Sequence, residues 1–212
     1  TRSPVPESVR MFQNFDVRSS PATGASRIAA LRAEREKAGV DAFLVPHADE
    51  HQNEYLPERA ERLAWLTGFT GSAGAAIILQ DEAHVFTDGR YTLQVRAQTD
   101  PAVFTPQDLM ANPPHQWLAE NLKPGMRIGF DPWLHTVRGA KQLASACSGA
   151  DAGLVPVERN LVDAIRNDLP AQPLEPVAIH PFEFAGETPR DKIGRIAEAV
   201  RDEKADAAIL TD

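Results

Sequence analysis

Cysteine is almost missing from this chain. A single residue, Cys147, stands among 212, so no internal disulfide can form and the small disulfide-framed secreted folds are excluded. Cys147 is expected as a small buried or half-buried side chain, in keeping with a reducing compartment. Long hydrophobic runs are absent too: none approaches the roughly 18 residues that span a bilayer. Residues 1 to 10 lack the apolar centre of a secretory signal, so a cytoplasmic location is expected and no membrane partner. Nor is there a surplus of positive charge. Lys and Arg total 22 against 30 acids, a net charge of −8, which disfavours nucleic acid and anionic membrane surfaces while leaving basic partners open.

What is present is an ordinary globular composition, 42% hydrophobic and 25% charged, enough for one large domain or two small ones. The leader Thr1-Arg-Ser-Pro-Val-Pro-Glu-Ser is rich in proline and serine and reads as a flexible or processed tail. After Pro21 and the Thr23-Gly24 break, Ser26 is placed to cap a helix running to Lys37 or Ala38, with Ile28, Leu31 and the Arg35 stem facing inward. Gly39 stops it. Asp41-Ala-Phe-Leu-Val-Pro reads as a buried strand that ends at Pro46.

The most constrained stretch runs from Leu63 to Tyr91. A helix from about Glu58 to Leu66 leads into Gly68, Gly71 and Gly74, glycines that mark sharp turns or close backbone approach. Ala75 to Leu79 and His84 to Thr87 are two adjacent buried strands joined by Gln80-Asp81-Glu82. Asp88-Gly89-Arg90-Tyr91 then sets an acid, a permissive residue, a planar cation and a phenol at a strand exit, where α/β sheets tend to carry ligands. Arg90 has two readings: a binding group, or the partner of a nearby acid that locks the strand exit.

Three other motifs resemble known binding or catalytic signatures. The G-x-x-G-x-x-G spacing precedes a strand and has no following lysine, so it is not a phosphate loop; tight packing explains it better. Ser72 lacks the strand-to-helix setting of a hydrolase nucleophile. His47-Ala-Asp-Glu-His51 spells H-x-x-E-H, yet it follows a strand and a proline, whereas that zinc motif works from a helix. A loop is expected, with His51 and Tyr55 either in local hydrogen bonds or as surface contacts.

Further on, the pattern alternates: a helix from Tyr91 to about Gln98 marked by Leu93 and Val95-Arg96, strand-like Val103-Phe104, a helix from His115 to Leu122, and a strand over Arg127-Ile-Gly-Phe-Asp. A helix from Thr136 to about Ala146, a strand near Leu154 to Val157 and a short closing helix at Asn160-Leu-Val-Asp-Ala-Ile-Arg follow. One tight hairpin among crossover units implies an α/β fold with a mixed sheet flanked by helices. Pro170, Pro173 and Pro176 form a stiff linker. Beyond it Thr188-Pro189 opens a helix with Ile193, Ile196, Ala197 and Val200 on one face, and Asp206-Ala-Ala-Ile-Leu reads as a buried strand. One constant offset aligns Ile28 with Ile193, Leu31 with Ile196 and Asp41-Ala42 with Asp206-Ala207, a second copy of the opening helix and strand. The expected domains are a tail at 1–20, a first domain at 21–168, a linker at 169–187 and the start of a second domain at 188–212.

Trp65-Leu-Thr-Gly-Phe-Thr-Gly-Ser-Ala-Gly and Thr87-Asp-Gly-Arg-Tyr, with Met11-Phe-Gln-Asn-Phe-Asp-Val-Arg, Val45-Pro-His-Ala-Asp-Glu-His-Gln-Asn-Glu-Tyr and Asn160-Leu-Val-Asp-Ala-Ile, resemble the N-terminal region of Xaa-Pro aminopeptidases of the creatinase and prolidase group. The resemblance implies the creatinase-type N-terminal fold, of the ribonuclease H-like class, and the duplication points to the long, three-domain form. It also implies that two aspartates, a histidine and two glutamates binding a metal pair, manganese or zinc, lie in a catalytic domain C-terminal to Asp212. No catalytic residue and no cofactor is then expected in this chain. The partners implied are a peptide with proline at its second position, the catalytic domain of the same chain, and a second copy in a homodimer. Arg90 matches an arginine that in the family points toward the catalytic cleft, and the loop carrying His51 and Tyr55 lies near the cleft's entrance. The rival reading is a non-catalytic peptidase-like module that binds basic proteins.

Overall fold

The computed structural model describes residues 19–172, 174 and 176–210. The leader, the Met11 to Arg18 segment, Pro173 and the last two residues, Thr211 and Asp212, lie outside the described residues. The chain divides into two units, Thr1–Asp168 and Leu169–Asp212.

In the first unit β1 (Ala42–Pro46) is the middle of the sheet. Its first four residues are all buried, as a run apolar on both faces must be when helices cover both sides. It pairs antiparallel with β2 (Gly74–Leu79) and parallel with β5 (Arg127–Phe130). β2 pairs antiparallel with β3 (Ala83–Thr87), β3 runs parallel to β4 (Thr105–Asp108), and β5 runs parallel to β6 (Gly153–Pro156). The order is β4-β3-β2-β1-β5-β6, a mixed six-stranded sheet. Only β2 is reversed, so the carboxyl ends of the other strands share one edge, where Pro46, Thr87, Asp108, Phe130 and Pro156 stand.

Alternate residues send their side chains to opposite faces. Phe43, Val45, Ala76, Ile78 and Val85 pack with Ile28 and Leu31 of α1 (Gly24–Lys37), Leu63 and Leu66 of α2 (Arg62–Thr67), Val95 of α3 (Thr92–Gln98) and Val162 of α6 (Leu161–Ile165). Ala42, Leu44, Ile77, Phe86 and Ile128 pack on the other face with Trp117 and Leu118 of α4 (Pro114–Asn121) and Leu143 and Cys147 of α5 (Val137–Gly149). Cys147 is buried, and burial pushes its thiol up from its ordinary value.

Several boundaries move from those read in the sequence. α1 starts at Gly24 behind Thr23, and the Ser26 hydroxyl donates back to the Thr23 carbonyl rather than capping. The helix expected over Glu58 to Leu66 is a 3-10 turn, Glu58–Ala60, then α2, because the chain bends at Glu61. Val103-Phe104 is a turn that buries Phe104, with the strand following it. Leu93 is 84% exposed, and Val95 is the buried residue of α3.

In the second unit α7 (Phe182–Ala185) precedes α8 (Pro189–Asp202), which Thr188 caps through the Asp191 N–H. The strand expected at Asp206 to Leu210 is not formed: Ala207 to Leu210 have no regular structure and are exposed. A strand exists only where a neighbour takes its hydrogen bonds, whatever its β-propensity.

Candidate functional site at the carboxyl edge

The glycines build the site from below. α2 ends on Gly68 at φ +84°, a left-handed cap, and an added Cβ there would lie 2.5 Å from the Gln98 carbonyl oxygen. A Cβ on Gly71 would lie 2.2 Å from the Phe69 ring and 3.0 Å from Tyr91, and one on Gly74 2.7 Å from the Phe86 carbonyl oxygen. The glycines are spaces that other groups fill, as tight packing requires. Phe69 meets Tyr91 edge to face at 5.7 Å, and the Tyr91 hydroxyl shares a 2.8 Å hydrogen bond with the Ser72 hydroxyl. That bond with Ser72 pulls the Tyr91 phenol below its ordinary value.

Arg90 rides on this platform. Asp88 accepts the Arg90 backbone N–H at 3.0 Å, which starts a 3-10 turn at the exit of β3, and also accepts Nε at 3.0 Å and Nη2 at 2.7 Å in a forked pair. The Arg90 guanidinium carbon stands 5.0 Å from the Tyr91 ring centre. Hydrogen bonding to Arg90 holds the Asp88 carboxyl below the usual carboxylate range, and the same bond raises the guanidinium. The Arg90 side chain is nonetheless 61% exposed. The acid-locked arrangement is therefore observed, and it leaves the outer face of the guanidinium open to solvent.

The 47–55 loop continues from β1 at the same edge. It is irregular, not helical, so His47 and His51 do not project from one helix face. Asp49, 1% exposed, organises it: Oδ1 accepts the N–H groups of His51 and Asn53 at 3.0 Å, and Oδ2 accepts Asn53 Nδ2 at 2.9 Å. Burial pushes the Asp49 carboxyl up, but the bonds from Asn53 and His51 outweigh it and leave it below its ordinary value. His51 and Tyr55 are exposed, Tyr55 at 85%. Glu54 is close enough to add its field to that of Asp88 at Arg90, which relates the loop to the Arg90 platform. Among the described residues no group of three or more His, Cys, Asp and Glu side chains is placed to hold a metal ion. Sequence reasoning named Arg90, His51 and Tyr55 but missed Asp49 and the Ser72–Tyr91 bond. An aspartate with polar residues two and four positions on was the available signal for the first.

Among the described residues no helix is long and apolar enough to cross a membrane. The family model of the creatinase/prolidase N-terminal domain matches residues 27–167. A probable Xaa-Pro aminopeptidase P of Coccidioides posadasii strain C735 is 34% identical over 215 residues, covering 98% of this chain and 33% of that protein. A probable Xaa-Pro aminopeptidase P of Aspergillus clavatus is 35% identical over 188 residues, 87% of this chain and 29% of its own. The chain thus spans about a third of the length of the curated relatives it matches. Among solved structures, the X-prolyl aminopeptidase of Caenorhabditis elegans, a cytosolic enzyme with a di-nuclear active site, superposes with a TM-score of 0.78 at 30% identity over 89% of this chain and 33% of that one. The N-terminal domain of the cytoplasmic peptidase PepQ of Mycobacterium tuberculosis H37Rv gives 0.52 at 26% identity, covering 66% of this chain and 98% of its own.

Proposed function

The chain belongs to the creatinase/prolidase N-terminal domain family, and from that premise we propose that it is the non-catalytic front of a metal-dependent Xaa-Pro aminopeptidase. In this reading residues 188–212 begin a second domain of the same kind, and the metal pair, manganese or zinc, sits in a catalytic domain of the longer protein. The first unit lends that domain its carboxyl edge: Arg90, held by Asp88 and backed by Tyr91, meets a peptide with proline at its second position or the wall of the cleft. The loop carrying His51 and Tyr55 shapes the approach, and a second copy completes a cytoplasmic homodimer. The observation that carries the proposal is the 34% identity over 98% of this chain to an Xaa-Pro aminopeptidase P. The exposed, pre-oriented guanidinium supports the role given to Arg90, since its acid partner fixes the fork without burying it.

The test is kinetic. In the full-length parent, Arg90→Ala is expected to lower kcat/KM on an Xaa-Pro peptide by about ten- to a hundredfold with the melting temperature unchanged. A variant that melts several degrees lower and keeps normal kinetics would make Arg90 a strand-exit lock and remove it from the site.

A further inference from the structure

The carboxyl end of β1 also opens toward the other helical layer, away from the α2 side. There a pocket of about 190 Å³ has Leu44, Pro46, Ala75 and Leu143 as apolar walls and the side chains of His115, His135 and Gln142 as its polar ones. It shares His115 and Gln142 with an open groove of about 790 Å³ that runs between α4 and α5. The two are therefore one continuous surface, a deep end and a shallow trough.

The deep end has an unmet need. His135 Nε2 is enclosed and finds no hydrogen-bond partner among the described residues, a costly state for a polar atom that a backbone amide of a bound segment would relieve. Burial lowers the imidazole from its ordinary value against the pull of Asp131, so at neutral pH it is an uncharged ring. The ring is set by its edge contact with Phe130 at 5.6 Å. An apolar cavity of about 150 Å³ admits benzene, so this pocket takes a side chain of leucine or phenylalanine size.

The trough has an unmet charge. α5 carries Arg138 and Lys141 and no acid; both cations are exposed, and among the described residues neither has an ion pair, in a protein of net charge −8. Gln116, Gln142 and Ser145 supply neutral donors and acceptors between them. A trough this open does not enclose a small molecule, whereas an extended backbone lies along it with one side chain turned into the deep end.

We propose that the α4–α5 groove binds an extended acidic segment of another protein, with one apolar side chain in the His135 pocket and flanking carboxylates on Arg138 and Lys141. The proposal does not depend on the aminopeptidase reading and uses none of Arg90, His51 and Tyr55.

The experiment is an NMR titration of the ¹⁵N-labelled 212-residue chain with acetyl-Ser-Glu-Phe-Glu-Ser-amide, whose blocked terminus makes it no aminopeptidase substrate. Saturable shifts at His115, His135, Gly139 and Gln142 are expected, with a Kd of about 1 mM or tighter. Replacing the peptide's Phe by Ser, or both Glu by Lys, should weaken binding at least about tenfold, as should Arg138→Glu combined with Lys141→Glu, both surface changes. No shifts in this groove, or equal binding of the Lys peptide, would overturn the proposal. So would equal binding of free 3-phenylpropionate, which would mark a small-molecule pocket, or of a thymidine pentanucleotide, which would mark a nucleic-acid surface. Binding to this chain but not to the longer parent would mean the groove is filled from within the same protein, and the separate partner would be lost.

Discussion

An alanine in place of Gly71 carries a Cβ that the structure puts 2.2 Å from Phe69 Cζ and 3.0 Å from Tyr91 Cγ, while Gly89, eighteen positions on at the turn beneath Arg90, has nothing within 4 Å of the same added atom. Gly71→Ala must therefore displace the ring that backs Tyr91, at a cost of about 1–3 kcal/mol in urea unfolding. Gly89→Ala should stay within about 0.5 kcal/mol of the wild type. Equal effects would show that Phe69 relaxes freely and that the glycine stretch is not a packed platform. Asp49 is the second residue whose change is informative. Its carboxyl lies below its ordinary value in the fold, so its stabilising contribution is complete above about pH 4 and is lost as the pH falls through the folded value. The amide resonances of His51 and Asn53 should keep their ordered positions above that window and move together below it. In Asp49→Ala they should sit at the disordered positions at every pH. An Asp49→Ala loop with wild-type resonances would mean that neighbouring backbone holds it. Gly71 was only half legible in the sequence, since the glycines announced close approach but which rings fill the space depends on contacts that only the fold brings together; Asp49 was missed, because its role rests on loop amides that the fold turns toward it.

At the scale of elements, an ion pair with little exposure ties α2 to α6. Arg62 donates Nε to Asp163 Oδ1 at 2.8 Å and Nη2 to Oδ2 at 2.9 Å, with the side chains 10% and 15% exposed. Arg166, at the end of α6, donates to the carbonyls of Glu58 and Arg59 just ahead of α2. Arg62→Met leaves Asp163 buried without its partner, and a loss of about 3–5 kcal/mol is expected. Adding Asp163→Leu should restore most of it, because two packed apolar groups replace two charges. A single-variant loss under about 1 kcal/mol would reduce the pair to the surface kind. The strands at Ala42–Pro46, Gly74–Leu79 and Ala83–Thr87 were legible because they are continuous apolar runs bounded by breakers, the pattern of strands covered on both faces. Val103-Phe104 misled because Phe104 is apolar for a different reason, sealing a turn beside Gly24. The pairing of Arg62 with Asp163 was illegible: a charged pair about a hundred positions apart leaves no local pattern.

Across the whole molecule, both hydrophobic clusters are built from residues between Ile28 and Ile165, and the first compact unit closes at Asp168. The second unit offers the same opening sequence without the same burial. Ile28 and Leu31 are 1% and 0% exposed, whereas Ile193 and Ile196, their counterparts in the repeat, are 66% and 43% exposed. The repeated letters specify a helix in both places because helix signals are local; they specify a strand only in the first, because Ala42–Pro46 has β2 and β5 as neighbours and Ala207 to Leu210 are not in a strand. Stability should follow the same division. An isolated helix of 14 residues, the length of α8, is marginal in water, and a stretch without ladder hydrogen bonds gives its amides no protection. Removing residues 169–212 is expected to leave the unfolding midpoint of the remainder within about 2 °C, and in the intact chain the amides of 207–210 should exchange with solvent at once while those of 75–79 and 83–87 stay protected to global unfolding. A truncated chain melting several degrees lower, or slow exchange at 207–210, would show that the second unit takes part in the cooperative fold and that its apolar side chains find cover in solution.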